Sequence, residues 1–237
     1  MNLSFSRIGA IFIKELQDVR KNTNVVYMYF LPVLLTLLWE NFIPDMPEGF
    51  ALGFGLMFLV VMVGMYVPSM IIAEEKEKGT MEVLLLSPAK PAEVFIGKGL
   101  LTFISIIITG IVLLLITGTG SSYMVVIGLG TMLTAIFAIF VGMIVGLIAP
   151  NQMATGIIGL PVYLILLLVP QFAMMGVGIM KAIGRFLPTY YFFDMLRLAF
   201  DKGQSIDQMM PQLGVLLVSI IVAFAALLLI YRRKGLE

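Results

Sequence analysis

The residues most able to do chemistry are concentrated in one short stretch. The run Glu74-Glu75-Lys76-Glu77-Lys78 is the densest charge cluster of the chain. It directly follows a long apolar stretch, and so many charges cannot lie in hydrocarbon. We therefore expect this run to lie in water at the membrane surface, where its charges could contact another protein.

Composition excludes several kinds of catalytic and metal site. The chain has no cysteine and no histidine, which removes thiolate nucleophiles, imidazole bases and the usual ligands of zinc, copper and haem. The Gly97-Lys98 pair lacks the earlier glycine and the following hydroxyl of a Walker-type phosphate-binding loop. We therefore expect no enzyme activity, no cofactor and no metal in this chain.

The apolar stretches contain almost no ionisable groups. An ion-coupled carrier or pump normally needs such a group near the membrane midplane. Glu40 is the only charge within a predicted span, and it lies beside Trp39 near the end of that span, where water can reach it. A secondary carrier is therefore disfavoured. If the protein performs work, the energy has to come from a partner.

The overall hydropathy sets the fold class. Hydrophobic residues make up 60% of the 237 residues, which is more apolar surface than a soluble fold could bury. Because a spanning helix needs about 20 apolar residues, the sequence predicts an all-α integral membrane protein in the lipid bilayer, with a single domain over residues 1–237. The predicted spans are at about 24–43, 50–73, 99–117, 123–148, 154–180 and 213–230. A net charge of +1 favours no nucleic acid partner.

Two further segments are predicted to lie in the membrane interface. Residues 1–22 combine apolar and charged side chains at helical spacing, which is typical of an amphipathic interfacial helix. Residues 181–211 mix aromatic and charged side chains in a similar way. Pro161 and Pro170 indicate a bent or broken helix in the fifth span, so a re-entrant segment before the sixth span also fits the sequence.

The distribution of Lys and Arg predicts the orientation. If the N-terminus lies inside, the loops and termini on that side carry eleven of the 15 basic residues, and the other side carries four. The positive-inside rule then predicts that both termini are cytoplasmic in a multi-pass protein of the plasma membrane.

The segment after the second span combines acidic, glycine, leucine and proline residues at fixed spacing. These residues are Glu75, Glu77, Gly79, Thr80, Glu82, Leu84, Leu85 and Pro88, followed by Gly97 and Lys98. In them the segment resembles the signature of the permease subunits of type-2 ABC exporters, which reads E-x-E-x-G-T-x-E-x-L-L-x-x-P and is followed by G-K. The interfacial N-terminal helix, the six spans and the amphipathic segment before the last span are also features of that family.

The resemblance implies a function in export. The chain would form a translocation path as a dimer with an identical or related permease, and cytoplasmic ABC ATPase subunits would drive it. The loop 74–98 would contain a coupling helix, and Glu74 would join the matching residues up to Pro88 as ATPase-coupling residues. The cargo would be a drug, a peptide, a lipid or another amphipathic molecule. The alternative is a non-transporting membrane anchor or sensor for a cytoplasmic partner.

A physical argument favours the same segment. A motor domain in the cytosol can move membrane helices only through a rigid lever, and a helix with one charged and one apolar face can dock in a groove. Gly79-Thr80 offers a bend before such a helix, and Pro88 and Pro91 would end it. On the residues alone, a solvated connector whose charges only fix the topology is the preferred interpretation, and the resemblance changes that preference.

Two glycines in the fourth span indicate close helix packing. Gly142 and Gly146 form a G-x-x-x-G pattern, which allows helices to approach each other closely in lipid. The pattern fits a dimer interface or packing inside one subunit.

Overall fold

Helices make up the regular secondary structure of the protein. The computed structural model describes residues 3–43, 49–80, 88–120, 124–202 and 206–234. In chain order, its helices are α1 Phe5–Lys21, α2 Thr23–Phe42, α3 Phe50–Glu77, α4 Pro91–Ile116, α5 Met124–Ile148, α6 Gln152–Met174, α7 Gly178–Gly184, α8 Pro188–Lys202 and α9 Met210–Lys234. A short 3₁₀ turn, Ile206–Met209, precedes α9. These parts of the chain contain no strand, so the predicted all-α fold is confirmed.

Within the described residues, six helices are long and apolar enough to cross a membrane. They are α2, α3, α4, α5, α6 and α9. With 26 residues, α4 is about 39 Å long, which exceeds the roughly 30 Å of a hydrocarbon core. This helix begins at Pro91, ahead of its predicted span, and its first two turns carry Glu93 and Lys98. Those turns therefore extend beyond the apolar part of the helix.

The central helix of the bundle is α3. In the protein, 72% of its apolar window is buried, compared with 17% for α2 and for the last span. It packs most extensively against α5, and it also packs against α2, α4 and α6. A buried π-helical turn, Leu59–Val63, interrupts α3 near its middle. The charged run lies at the C-terminal end of this central helix, so that end connects directly to the core.

Two glycines of α5 bring this helix close to α3. A Cβ atom at Gly142 would overlap the backbone of Met65, and one at Gly146 would overlap the backbone of Ser69. Both glycines are buried. The two residues therefore lie in a helix contact within the chain.

The chain after α5 folds back onto the bundle. α6 continues as one helix through Pro161 and Pro170 and ends at Met174. The following turn contains Gly176, whose φ of +90° favours glycine. The short α7 and the amphipathic α8 come next, and α8 packs against α5, α6 and α9. The helix therefore ends after both prolines, and the chain turns at Gly176, which tolerates a positive φ.

Candidate functional site

The charged run of α3 meets α1 and α4 at one end of the bundle. α1 packs mainly along the first turns of α4. A Cβ atom at Gly97 would lie 2.8 Å from the side chain of Ile11 and 3.2 Å from the carbonyl of Ile8, so this contact requires a glycine. The close approach places Glu15 of α1 beside Lys98 of α4.

Lys98 lies at the centre of a buried ion cluster. Its Nζ is 2.6 Å from Oε1 of Glu15 and 2.6 Å from Oε1 of Glu75. The Lys98 side chain is 1% exposed, and the two carboxylates are 4% and 5% exposed. Because burying an unpaired charge costs several kcal/mol, these groups have to remain together. The cluster therefore ties α1, α3 and α4 to one another.

A second lysine contacts the same cluster from its solvent side. Nζ of Lys14 lies 3.1 Å from Oε1 of Glu15 and 3.0 Å from Oε1 of Glu75. Partial burial lowers the pKa of Lys14, but the attraction of the two carboxylates outweighs that effect and raises the pKa above its usual value. Lys14 is therefore a cation at physiological pH, and it compensates the second negative charge.

The next two charges of the run bind the ends of other helices. Nζ of Lys76 donates to the carbonyls of Leu147 and Ala149, at 2.8 and 2.5 Å, where α5 ends. Oε2 of Glu77 accepts the backbone N–H of Gln152, the first residue of α6, at 3.1 Å. A cation at a helix C-terminus and an anion at an N-terminus both interact favourably with the helix dipoles. The end of α3 thus contacts α5 and α6 through charge as well.

The remaining pair of the run lies at the surface. Lys78 donates a hydrogen bond to Glu74, one helical turn earlier, and this bond raises the pKa of Lys78. The Lys78 side chain is 63% exposed, and that of Glu74 is 26% exposed. Of the five charges in the run, Glu77 and Lys78 are exposed, and Glu74 is partly exposed.

The predicted bend after α3 coincides with Gly79. This residue has a φ of +68° and open space where a Cβ would lie, so it ends the helix in the left-handed conformation that glycine adopts at little cost. The hydroxyl of Thr80 donates to the carbonyl of Glu75 at 3.3 Å. Both residues therefore shape the exit from α3.

The rest of the signature is only partly described. Pro88 is exposed and precedes α4. Three predicted coupling residues lie outside the described residues, namely Glu82, Leu84 and Leu85. The coupling helix therefore stays a prediction.

A second ion pair, which is partly buried, escaped the sequence-based reasoning. Nε and Nη2 of Arg7 donate to the two carboxylate oxygens of Glu93, both at 2.8 Å. The same carboxylate accepts the backbone N–H groups of Ser4 and Lys90, at 2.8 and 2.9 Å. A local signal was available, because Pro91 occupies the first turn of α4 and Glu93 the N3 position of a capping box. The pairing with Arg7 had no such signal.

A small cavity adjoins the ion cluster. It has a volume of about 180 Å³ between α1 and the end of α3, and its lining includes Asp18, Asn22 and Glu74. This volume is below the range of about 300–1,000 Å³ that is typical of small-molecule pockets. A wider and more open depression of about 540 Å³, whose lining includes Lys21 and Lys78, lies beside it, so the charged end presents an open polar surface.

Comparison with known proteins points to one family. A family model described as ABC-2 family transporter protein matches residues 20–229. The match includes the charged run and all six candidate spans in whole or large part, and it leaves out nearly all of α1. A search of curated proteins found no match.

Proposed function

Because this chain belongs to the ABC-2 family of transporter proteins, and is thus a membrane-embedded permease and not itself the catalytic component, we propose that it exports an amphipathic cargo with energy from separate ABC ATPase subunits. These ATPase subunits dock at the charged end of the bundle. The segment from Glu74 to Pro88 transmits their motion. The charged end and both termini lie in the cytoplasm, and the protein resides in the plasma membrane.

One observation carries the coupling proposal. The side chains of Glu75, Lys76 and Glu77 link the end of α3 to α1, α4, α5 and α6. A force applied at this end is therefore shared among five helices through ion pairs and helix-end contacts. Since α3 is also the most buried helix, its displacement would move the centre of the bundle.

We further propose that two permeases form the translocation path. α2 and α9 are largely unburied within one chain and expose many apolar side chains. Lipid or a second permease, identical or related, has to cover these surfaces. In a dimer, the cargo would pass along the boundary between the two copies.

Crosslinking tests the docking proposal, since the chain has no native cysteine. Lys78→Cys places a thiol on the exposed charged end, and Arg185→Cys places a matched thiol on an exposed residue at the opposite end. With a bifunctional reagent and the cognate ATPase subunit in membranes, we expect a crosslinked product for Lys78→Cys alone. Crosslinking through Arg185→Cys alone would contradict the proposed orientation.

Transport assays separate export from anchoring. Inside-out vesicles containing both subunits should accumulate cargo only with ATP, and cargo should stimulate ATP hydrolysis. A stable complex in which neither the permease nor any tested cargo changes ATP hydrolysis would favour the membrane anchor or sensor instead.

A further inference from the structure

A second cavity opens at the end of the bundle opposite the ion cluster. Its volume is about 450 Å³, and it lies between the start of α3, the end of α6 and one face of α8. Most of the residues that line it are apolar, and they include Phe50 of α3 and Phe193 and Leu196 of α8. Both the volume and the apolar character are typical of sites that bind small molecules.

One polar group in the wall of this cavity has no partner. Gln171 lies within the last turn of α6 and lines the cavity. Its Nε2 is buried and has no hydrogen-bond partner in the part of the chain that the structure describes. An amide nitrogen is a hydrogen-bond donor, and a buried donor in this condition destabilises the protein unless a ligand or water accepts its hydrogen bond. The cavity therefore combines an apolar wall with a donor that is not used within the described chain.

The charge in the lining does not favour an ionic occupant. Among the described residues that line the cavity, Arg197 is charged, and its guanidinium already interacts with other groups of the chain, which include the sulfur of Met174 at 3.6 Å. An ion that enters an apolar cavity without a counter-charge of its own loses more free energy of hydration than it regains. A neutral acceptor satisfies the amide of Gln171 without that loss.

We propose that this cavity binds the acyl chain of a neutral ester and that the ester carbonyl accepts the hydrogen bond of Gln171. The aromatic side chains of α3 and α8 surround the acyl chain. Gln171 lies close to the end of a helix that is long enough to span the membrane, and the ester groups of a bilayer lie at the edge of its hydrocarbon core. Binding at this site does not depend on the proposed export function, because it can be measured on the chain alone.

The chain contains its own reporter for this site. Trp39 is the only tryptophan, and its ring centroid lies 5.6 Å from that of Phe50 in the cavity wall. We would titrate the purified chain with a terminally brominated methyl dodecanoate in nanodiscs of ether-linked phosphatidylcholine, a lipid without ester carbonyls. Bromine quenches tryptophan fluorescence at short range, so we expect saturable quenching.

Two brominated analogues of matched length test the head group. A bromoalkane keeps the chain and lacks the acceptor, so its dissociation constant should be about fivefold higher than that of the ester. A brominated alkanesulfonate stays ionised, so it should give only the weak, linear quenching of a probe dissolved in lipid. Saturable quenching by the sulfonate would overturn the assignment of a neutral head group.

One substitution tests the contact with the ester carbonyl. Gln171→Leu nearly keeps the volume and removes the donor, so the ester should bind as weakly as the bromoalkane. Gln152→Leu is the matched control, because it changes a glutamine at the other end of the same helix and outside the cavity lining, and it should keep the preference for the ester. Circular dichroism and size-exclusion profiles would show that both variants are folded. Equal affinities of ester and bromoalkane in the original chain, or a preference that persists in Gln171→Leu, would overturn the proposal.

A change of lipid distinguishes two sources of the same ester chemistry. The titration would be repeated in nanodiscs of ester-linked phosphatidylcholine with the same chain lengths. A higher apparent dissociation constant for the probe would identify a membrane lipid as the occupant, because the lipid competes for the cavity. Unchanged binding would identify a free ester.

Discussion

The two ends of the bundle handle polar groups in different ways. At the charged end, Lys98 and Glu75 are buried and paired with each other and with α1. At the opposite end, the amide nitrogen of Gln171 is buried beside a cavity of about 450 Å³ and has no hydrogen-bond partner among the described residues. Polar groups that satisfy each other hold helices together, whereas donors without good acceptors favour the binding of an outside molecule. The charged end is therefore held together by its own ion pairs, whereas the opposite end leaves a buried donor unsatisfied among the described residues.

The largest effect should come from the centre of the ion cluster. Lys98→Met leaves two buried carboxylates without their central cation, so the free energy of unfolding should fall by about 3–5 kcal/mol. Chemical denaturation in detergent micelles, monitored by circular dichroism, measures this free energy of unfolding. Lys78→Met is the control, because an exposed pair contributes about 0–1 kcal/mol. Equal losses in the two variants would remove the distinction between a buried cluster and a surface pair.

A substitution in the contact between α3 and α5 should have the next largest effect on the free energy of unfolding. Gly142→Ala forces a Cβ into the backbone of α3, so it should lower the free energy of unfolding by about 1–3 kcal/mol. Gly128→Ala in the same helix is the matched control, because nothing in the structure lies within 4 Å of the position that its added Cβ would occupy. That control should be neutral or slightly stabilising. If Gly142→Ala left the free energy of unfolding unchanged, α3 and α5 would not be in close contact in the membrane.

A smaller and local effect is expected where α3 meets α5. Lys76→Met removes the cation that binds the carbonyls of Leu147 and Ala149, so the end of α5 should lose about 1 kcal/mol of stabilisation. Hydrogen exchange followed by mass spectrometry should show faster exchange in peptides near residues 145–149 and no change at the start of the same helix. Uniformly faster exchange would mean that Lys76 supports the whole fold and not one helix end.

The smallest effect on stability is expected at Lys78, where a substitution should instead affect coupling to the ATPase. Lys78→Met should change the free energy of unfolding by less than about 1 kcal/mol, because its pair with Glu74 is exposed. If this surface contacts the ATPase, the same variant should reduce stimulation of ATP hydrolysis in reconstituted complexes. Arg185→Gln, at the other end, should leave the stimulation unchanged. Full stimulation in Lys78→Met would remove Lys78 from the docking surface.

Sequence reasoning predicted the features that depend on local patterns. The spans follow from runs of apolar residues, because lipid selects helices by length and hydropathy. The bend at Gly79 follows from the conformational freedom of glycine, and its φ of +68° fits that expectation. The prolines of the fifth span were less informative. A proline removes one hydrogen bond from a helix, and α6 remains continuous because any longer break would expose more backbone to lipid.

The contacts of the two sites could not be predicted in the same way. Lys98 binds Glu15 across 83 positions of sequence, and no periodicity relates residues so far apart. The charged run looked like a surface for a partner, yet most of its charges are used within the chain. Gln171 and Arg197 belong to different helices, and both line one cavity because the chain turns back at Gly176. Only the folded structure supplies these pairings.

The π-helical turn Leu59–Val63 has a geometric consequence for both ends of the protein. It inserts one residue into α3, and one residue corresponds to about 100° of rotation around a helix axis. The two halves of α3 are therefore out of register by that angle. Converting the turn to regular α-helix without removing a residue would rotate one half of α3 by about that angle, and it would turn Phe50 away from Trp39 or Glu75 away from Lys98. The faces at the two ends of this helix are thus set by one inserted residue.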